Sequence, residues 1–221
     1  MPPTSTVNYV TVIEPVLEVT LIGTAEYARW RDLLNDEGLA VDSTPTQANI
    51  LISAVDSKFR GIRFQEVSVS VMVGDARYFL AHAYNSIAWF ALAERVLFRT
   101  PYYQGTITVN AQHIRLSRGQ AALLDAKLPT NAPHISAGER RDEFLIHLPK
   151  KLRRQPNQPH YFHARLEGHA TVFAADNRLV QITPTADERI WQLIKASRFQ
   201  VDQWLVRATA RHSKSKTYTE A

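Results

Sequence analysis

The chain has 221 residues, 45% of them hydrophobic, enough for one large domain with a substantial core. It has no cysteine, which excludes disulfides and thiolate metal sites. The formal net charge of +5 is uneven: residues 1–111 sum to −3 and residues 112–221 to +8, so a nucleic-acid or membrane-surface role has to be weighed against plain solubility.

The N-terminal residues carry no basic segment followed by an apolar run, so no signal peptide and no membrane span is read, and a cytoplasmic protein is expected. Tyr9 to Ile22 is rich in Val, Thr and Ile with Pro15 in the middle, which predicts two short strands or one bent edge strand. Thr24 is the expected N-cap of a helix carrying Tyr27, Trp30, Leu33 and Leu34, with Gly38 as its stop. Asn49 to Val55 reads as a strand, as does Glu66 to Val73, and Gly74-Asp75 turns the chain into a strand from Arg77 to Tyr84. Asn85 or Ser86 caps the next helix. From Ile87 to Phe98 only Glu94 and Arg95 are polar, which predicts a helix buried on all sides.

Gln104 to Leu116 reads as one long strand or a hairpin arm, and Gln120 to Leu128 fits either a strand or a helix. Residues 129–140 read as a Pro/Ser/Gly loop. Phe144 to Leu148, Tyr161 to Ala174 and Leu179 to Thr183 read as strands. A helix follows from Pro184 and Thr185 to about Ser197, with Ile190, Trp191 and Ile194 inward. Val201 to Ala210 is a last strand or a short helix. Many strands, few helices and no βαβ alternation predict a β-rich α+β fold, a large antiparallel sheet system with packed helices. One domain is expected over residues 1–211, with a polar, frayed tail from His212 to Ala221.

The strand from Phe64 offers the first candidate site. Val67, Val69, Val71 and Val73 share one face; Phe64, Glu66, Ser68, Ser70 and Met72 share the other. The second face suits solvent, or a partly polar cavity inside a closed or cone-shaped sheet. Arg95 ends an apolar helix and needs a partner: a structural ion pair and a fork for a carboxylate ligand both fit. His163, Glu167 and His169 share a strand face. However, His163 and Glu167 lie about 13 Å apart along a regular strand, too far for one ion at bonds of about 2 Å, so no metal site is read. Lys150-Lys151-Leu152-Arg153-Arg154 is the densest basic run; with Pro156 and Pro159 after it, it reads as a solvated loop.

The order strand, turn, strand, apolar helix, Arg95, then Pro101-Tyr102-Tyr103 entering another strand resembles the acetoacetate decarboxylase-like superfamily. The resemblance is specific over about residues 60–110. It implies a barrel- or cone-like sheet, a pocket around Glu66, Arg95, Tyr102 and Tyr103, and a homo-oligomer. In the decarboxylases two lysines follow the proline, and the first forms a Schiff base with substrate. Tyrosine cannot form an imine, so Tyr102 removes that chemistry, and the chain is more similar to members with a Pro-Tyr-Tyr motif. Lys58, the only lysine before residue 127, lies outside the motif.

Three readings follow. The first is a pocket for a small organic acid or ketone, with proton-transfer or lyase-type chemistry and no Schiff base. Glu66, Tyr102 and Tyr103 would act as acid, base or hydrogen-bond donors, and Arg95, Ser68 and Ser70 would hold the ligand, with Arg95 pairing with Glu66 or with an anionic ligand. The second is a non-catalytic binding or sensor protein on the same scaffold. The third is a basic nucleic-acid module using Lys150 to Arg154 with Tyr161, Phe162 and His163. The first is preferred, with no cofactor, nucleic acid or membrane as a partner.

Overall fold

The computed structural model describes residues 7–39, 46–152, 158–183 and 188–219. In chain order they form β1 (Tyr9–Glu26), α1 (Tyr27–Asp36), β2 (Gln47–Phe59), β3 (Ile62–Gly74), β4 (Arg77–Asn85) and α2 (Ala88–Ala93), which runs on into a π-helical turn (Glu94–Phe98). There follow β5 (Tyr102–Gln104), β6 (Thr106–Asn110), β7 (His113–Arg118), β8 (Ala121–Lys127), β9 (His134–His147), β10 (His160–Ala174), β11 (Val180–Ile182), α3 (Arg189–Ala196), β12 (Gln200–Ser215) and β13 (Tyr218–Thr219).

Seven strands pair in the order β12-β1-β2-β3-β4-β9-β10, and β10 pairs back to β12, so the sheet closes into a ring. The pairings are antiparallel except those of β4 with β9 and with β5, which are parallel. A second sheet, β11-β8-β7-β6, lies outside the ring. Alternation along the strands divides their side chains between two environments. On β1 to β3 one face, including Val19, Leu21, Ile50, Ile52, Val67, Val69 and Val71, is fully buried. It packs in one core with Ile114 and Leu116 of β7, Leu124 of β8, Trp30 and Leu34 of α1, and Trp191 and Ile194 of α3. The main core therefore lies outside the ring, and the opposite faces of the same strands are left to line its interior.

Two extra residues set that lining. Between Ile13 and Val16, β1 advances one residue more than β12; between Val16 and Glu18, β12 advances one more than β1. Each bulge flips the alternation. Ile13 and Glu18 on β1 thus both face inward, as do Arg207 and His212 on β12. β10 bends at the same place through Gly168, at φ +139°, where a Cβ would meet the Ala210 backbone at 3.3 Å.

Several sequence expectations change. β1 is no edge strand from Val16 onward, since β2 and β12 flank it. Thr24 is still in β1, and Glu26 takes the N-cap position of α1, because pairing with β2 continues to Gln47. Gly38 does end that helix, at φ +70°, with its N–H bonded to Asn35 O. Residues 134–140 are strand, not loop, because they pair along β10 from Phe173 to Gly168. His212 to Ser215 is not frayed: it continues β12 between β1 and β10, and Tyr218–Thr219 adds a short pairing with β10. The α2 segment is not buried all round, since Trp89, Leu92, Val96 and Leu97 stand in solvent. Pro184, Thr185, Arg153 and Arg154 fall outside the described residues.

Candidate functional site

The ring encloses a cavity of about 390 Å³, within the range of small-molecule sites. Glu66, Ser68 and Ser70 of β3 line it, and the apolar remainder of its wall includes Leu51, Val55, Leu80 and Ile146. Register places Glu18, Val55 and Glu66 side by side on three adjacent strands. The two carboxylate-bearing backbones are therefore about 10 Å apart, and two polar clusters form around them.

The first cluster surrounds Glu66. Its Oε1 accepts from Asn85 Nδ2 at 2.7 Å and its Oε2 from the Tyr102 hydroxyl at 3.0 Å. Burial, with the nearby Glu94 charge, pushes the Glu66 carboxyl up to about 7, although Lys214, Asn85 and Tyr102 pull the other way. The same burial, with the charges of Glu66 and Glu94, holds Tyr102 well above the usual phenol range, so it stays a neutral donor. Glu94 comes from the π turn after α2. It accepts from Thr100 Oγ1 at 2.7 Å and from Lys214 Nζ at 2.6 Å. Lys214 also lies over the rings of Phe98 and Phe162, at 4.5 and 4.9 Å. The turn owes its shape to Arg99, at φ +60°, and to Thr100, whose N–H and hydroxyl both return to Glu94 O; Pro101 then leads into β5 and sets Tyr102 at the cavity.

The second cluster surrounds Arg207, which is 1% exposed. Its Nη1 donates to Glu18 Oε2 at 2.7 Å and its Nη2 to Asp142 Oδ2. His212 Nε2 is 3.2 Å from the same Glu18 oxygen, and Thr20 donates to Glu18 Oε1 at 3.0 Å. Burial alone would raise the Glu18 carboxyl. The hydrogen bond and charge of His212, with those of Arg207, outweigh it and hold the group at about 2. Arg207 Nε is buried with no hydrogen-bond partner among the described residues.

Of the residues singled out from sequence, Glu66, Ser68, Ser70 and Tyr102 line the cavity, while Tyr103 and Arg95 do not. Adjacent positions on β5 point to opposite faces, so Tyr103 goes to the outer core and stacks on His82 at 4.6 Å. Arg95 lies over the Tyr103 ring at 5.3 Å and makes no pair with Glu66. His82, driven down to about 4 by burial against the pull of Glu188, stays neutral there. Glu188 is held by Arg118 and by the Tyr84 hydroxyl, which Trp191 Nε1 also donates to. Arg95→Ala should therefore cost no more than about 2 kcal/mol in urea unfolding, the upper scale of a cation–π contact. A loss of 3 kcal/mol or more would put Arg95 back in a buried ion pair.

No family model and no curated protein matches the sequence. Solved structures match the fold. An acetoacetate decarboxylase-like enzyme from Sphingomonas wittichii RW1 superposes with a TM-score of 0.56 at 16% identity, covering 100% of this chain and 98% of that one. Acetoacetate decarboxylase from Legionella pneumophila subsp. pneumophila superposes with a TM-score of 0.60 at 13% identity, covering 100% and 92%. This chain has the acetoacetate decarboxylase-like fold. Tyr102, the first residue after Pro101, faces the cavity with its hydroxyl on Glu66. The cavity's own lysine, Lys214, arrives from the last long strand, in a segment that the sequence reading left as tail. Glu18, Glu94, Asp142, Arg207 and His212 were likewise not singled out from sequence, although all line the cavity.

Proposed function

We propose that the ring interior binds a small organic acid or ketone and that Glu66 moves a proton on it without forming an imine. The observation that carries this reading is the cavity-facing carboxyl of Glu66, poised at about 7 between Asn85 and Tyr102. At that value the group takes up or gives off a proton near neutral pH with little driving force lost. A ketone carbonyl at Tyr102 would take over the hydroxyl proton that Tyr102 now donates to Glu66 Oε2, and the carboxylate oxygen so freed would receive the proton removed from the adjacent carbon. Negative charge would then develop on the carbonyl oxygen, beside the Tyr102 donor, in a cavity that Lys214 also lines. Lys214 is engaged by Glu94 at 2.6 Å rather than free in the cavity.

The test is solvent exchange. A panel of small 2-oxo and 3-oxo acids and their neutral ketones is incubated with the protein in D2O, and the carbon-bound protons are followed by NMR. Wild type should accelerate exchange for at least one member, and Glu66→Gln should abolish it. Borohydride should trap no adduct on any lysine. Binding without exchange would favour a ligand-binding or sensor role, consistent with the loss of the lysine. Neither binding nor exchange across the panel would reject the reading.

A further inference from the structure

The segment from Ala88 to Phe98 has two faces of opposite character. Inward it gives Glu94 to the cavity and buries Ala91, and Phe90 anchors it edge-on to Phe64 at 5.5 Å and Phe59 at 6.4 Å. Outward, Trp89, Leu92, Val96 and Leu97 are 55%, 53%, 55% and 71% exposed. Cations surround them. Arg60, at the β2–β3 hairpin tip, lies 5.5 Å from the Phe59 ring. Arg95 is on the segment itself, Arg99 caps its end, and Lys216 adjoins Thr217, whose hydroxyl donates to Phe98 O. None of these four cations forms an ion pair among the described residues. The nearby carboxylates are engaged elsewhere: Glu94 with Lys214 and Asp56 with Arg63.

From this we infer that the outward face of α2 and its π turn is a membrane-surface site that seats on an anionic phospholipid bilayer. A short helix with Trp, Leu and Val outward and arginines at its border matches an interfacial segment, its apolar side chains at the acyl boundary and its cations among the headgroups. A second copy suits the face less well. A two-fold contact would set one cationic border against another, whereas acidic lipid attracts both. No helix among the described residues is long and apolar enough to cross a membrane, but a segment lying on the surface needs no such span. The expectation of no membrane partner weighed a surface role only for the basic second half and took this helix to be buried.

The protein carries its own reporter. Of four tryptophans, Trp30, Trp191 and Trp204 are fully buried, so a change in fluorescence on adding vesicles reports Trp89. Vesicles of phosphatidylcholine alone and of phosphatidylcholine mixed with phosphatidylserine are compared by co-sedimentation and by quenching with brominated lipid. The expected result is binding at least about tenfold tighter to the acidic vesicles, weakened by salt, with Trp89 quenched. The double variant Trp89→Ser/Leu97→Ser, and the triple variant Arg60→Ala/Arg99→Ala/Lys216→Ala, should each lose at least about tenfold. Trp89, Leu97, Arg60 and Lys216 are exposed, so far-UV circular dichroism and the urea midpoint of both variants should stay close to wild type. No binding, equal binding to both vesicles, or undiminished binding by the double variant would overturn the inference. So would a multimer that ignores vesicles and that the double variant dissociates, since a second copy would then cover this face.

Discussion

Arg207→Ala should be the most destabilising substitution in the cavity wall, at about 3–5 kcal/mol, because it removes one partner of a buried pair and leaves the other charged. Glu18 would keep only His212 and Thr20, and Asp142 would lose its inward contact. The pH dependence has a definite sign. Glu18 has its folded value depressed to about 2 from 4.5, so its contribution is fully present above the unfolded value and is lost as pH falls through the folded one. The depression corresponds to about 3 kcal/mol. Urea unfolding should therefore show wild type weakening between about pH 4.5 and pH 2, and Arg207→Ala should show less of that slope. Removing both fully buried charges, as Arg207→Met/Glu18→Gln, should recover part of the loss, since the Glu18 charge is no longer buried, while the half-buried Asp142 still lacks its partner. A cost below 1 kcal/mol for Arg207→Ala would mean that water reaches the cluster and screens it.

Glu66→Gln works in the opposite direction. The folded Glu66 carboxyl is raised to about 7, so the folded state holds a proton that the unfolded chain releases near 4.5, and stability falls as pH rises between the two. The penalty reaches about 3 kcal/mol above pH 7. Glutamine is neutral throughout and can still accept from Asn85 or Tyr102. The variant should match wild type near pH 4.5 and exceed it progressively toward pH 8, by up to about 3 kcal/mol, while losing any exchange activity. Such a gain at the expense of activity is the mark of a group kept for chemistry at a cost to stability. A variant no more stable than wild type at pH 8 would show that Glu66 titrates normally.

The shared face of Glu66, Ser68 and Ser70 on β3 was legible in the sequence because regular alternation needs only parity. Val67, Val69 and Val71 had to be buried, so Glu66, Ser68 and Ser70 share the other face. Tyr102 and Tyr103 illustrate the limit of the same rule: neighbours on a strand cannot both face one cavity, and the motif alone could not say which would. The Arg207 cluster was hidden for a different reason. Bulges near Pro15 and between Arg207 and Ala210 break the parity, so Ile13 with Glu18, and Arg207 with His212 and Lys214, reach one interior from odd and even positions. Ring closure through β10 and β12 joins segments far apart in sequence, and a polar C-terminal run gives no local sign that it will be a central strand. The α2 segment misled for a third reason. An apolar helix is buried only if something covers it, and here the ring covers one side.

The most direct test of the central claim is a ¹³C NMR titration of the Glu66 side-chain carboxyl, assigned by its absence in Glu66→Gln. A midpoint near 7 is expected, with a matching perturbation at the Tyr102 ring across the same pH range. A midpoint near the ordinary 4.5 would mean that the carboxyl is charged and solvated at neutral pH, and would contradict its role as the proton-transfer group of the cavity.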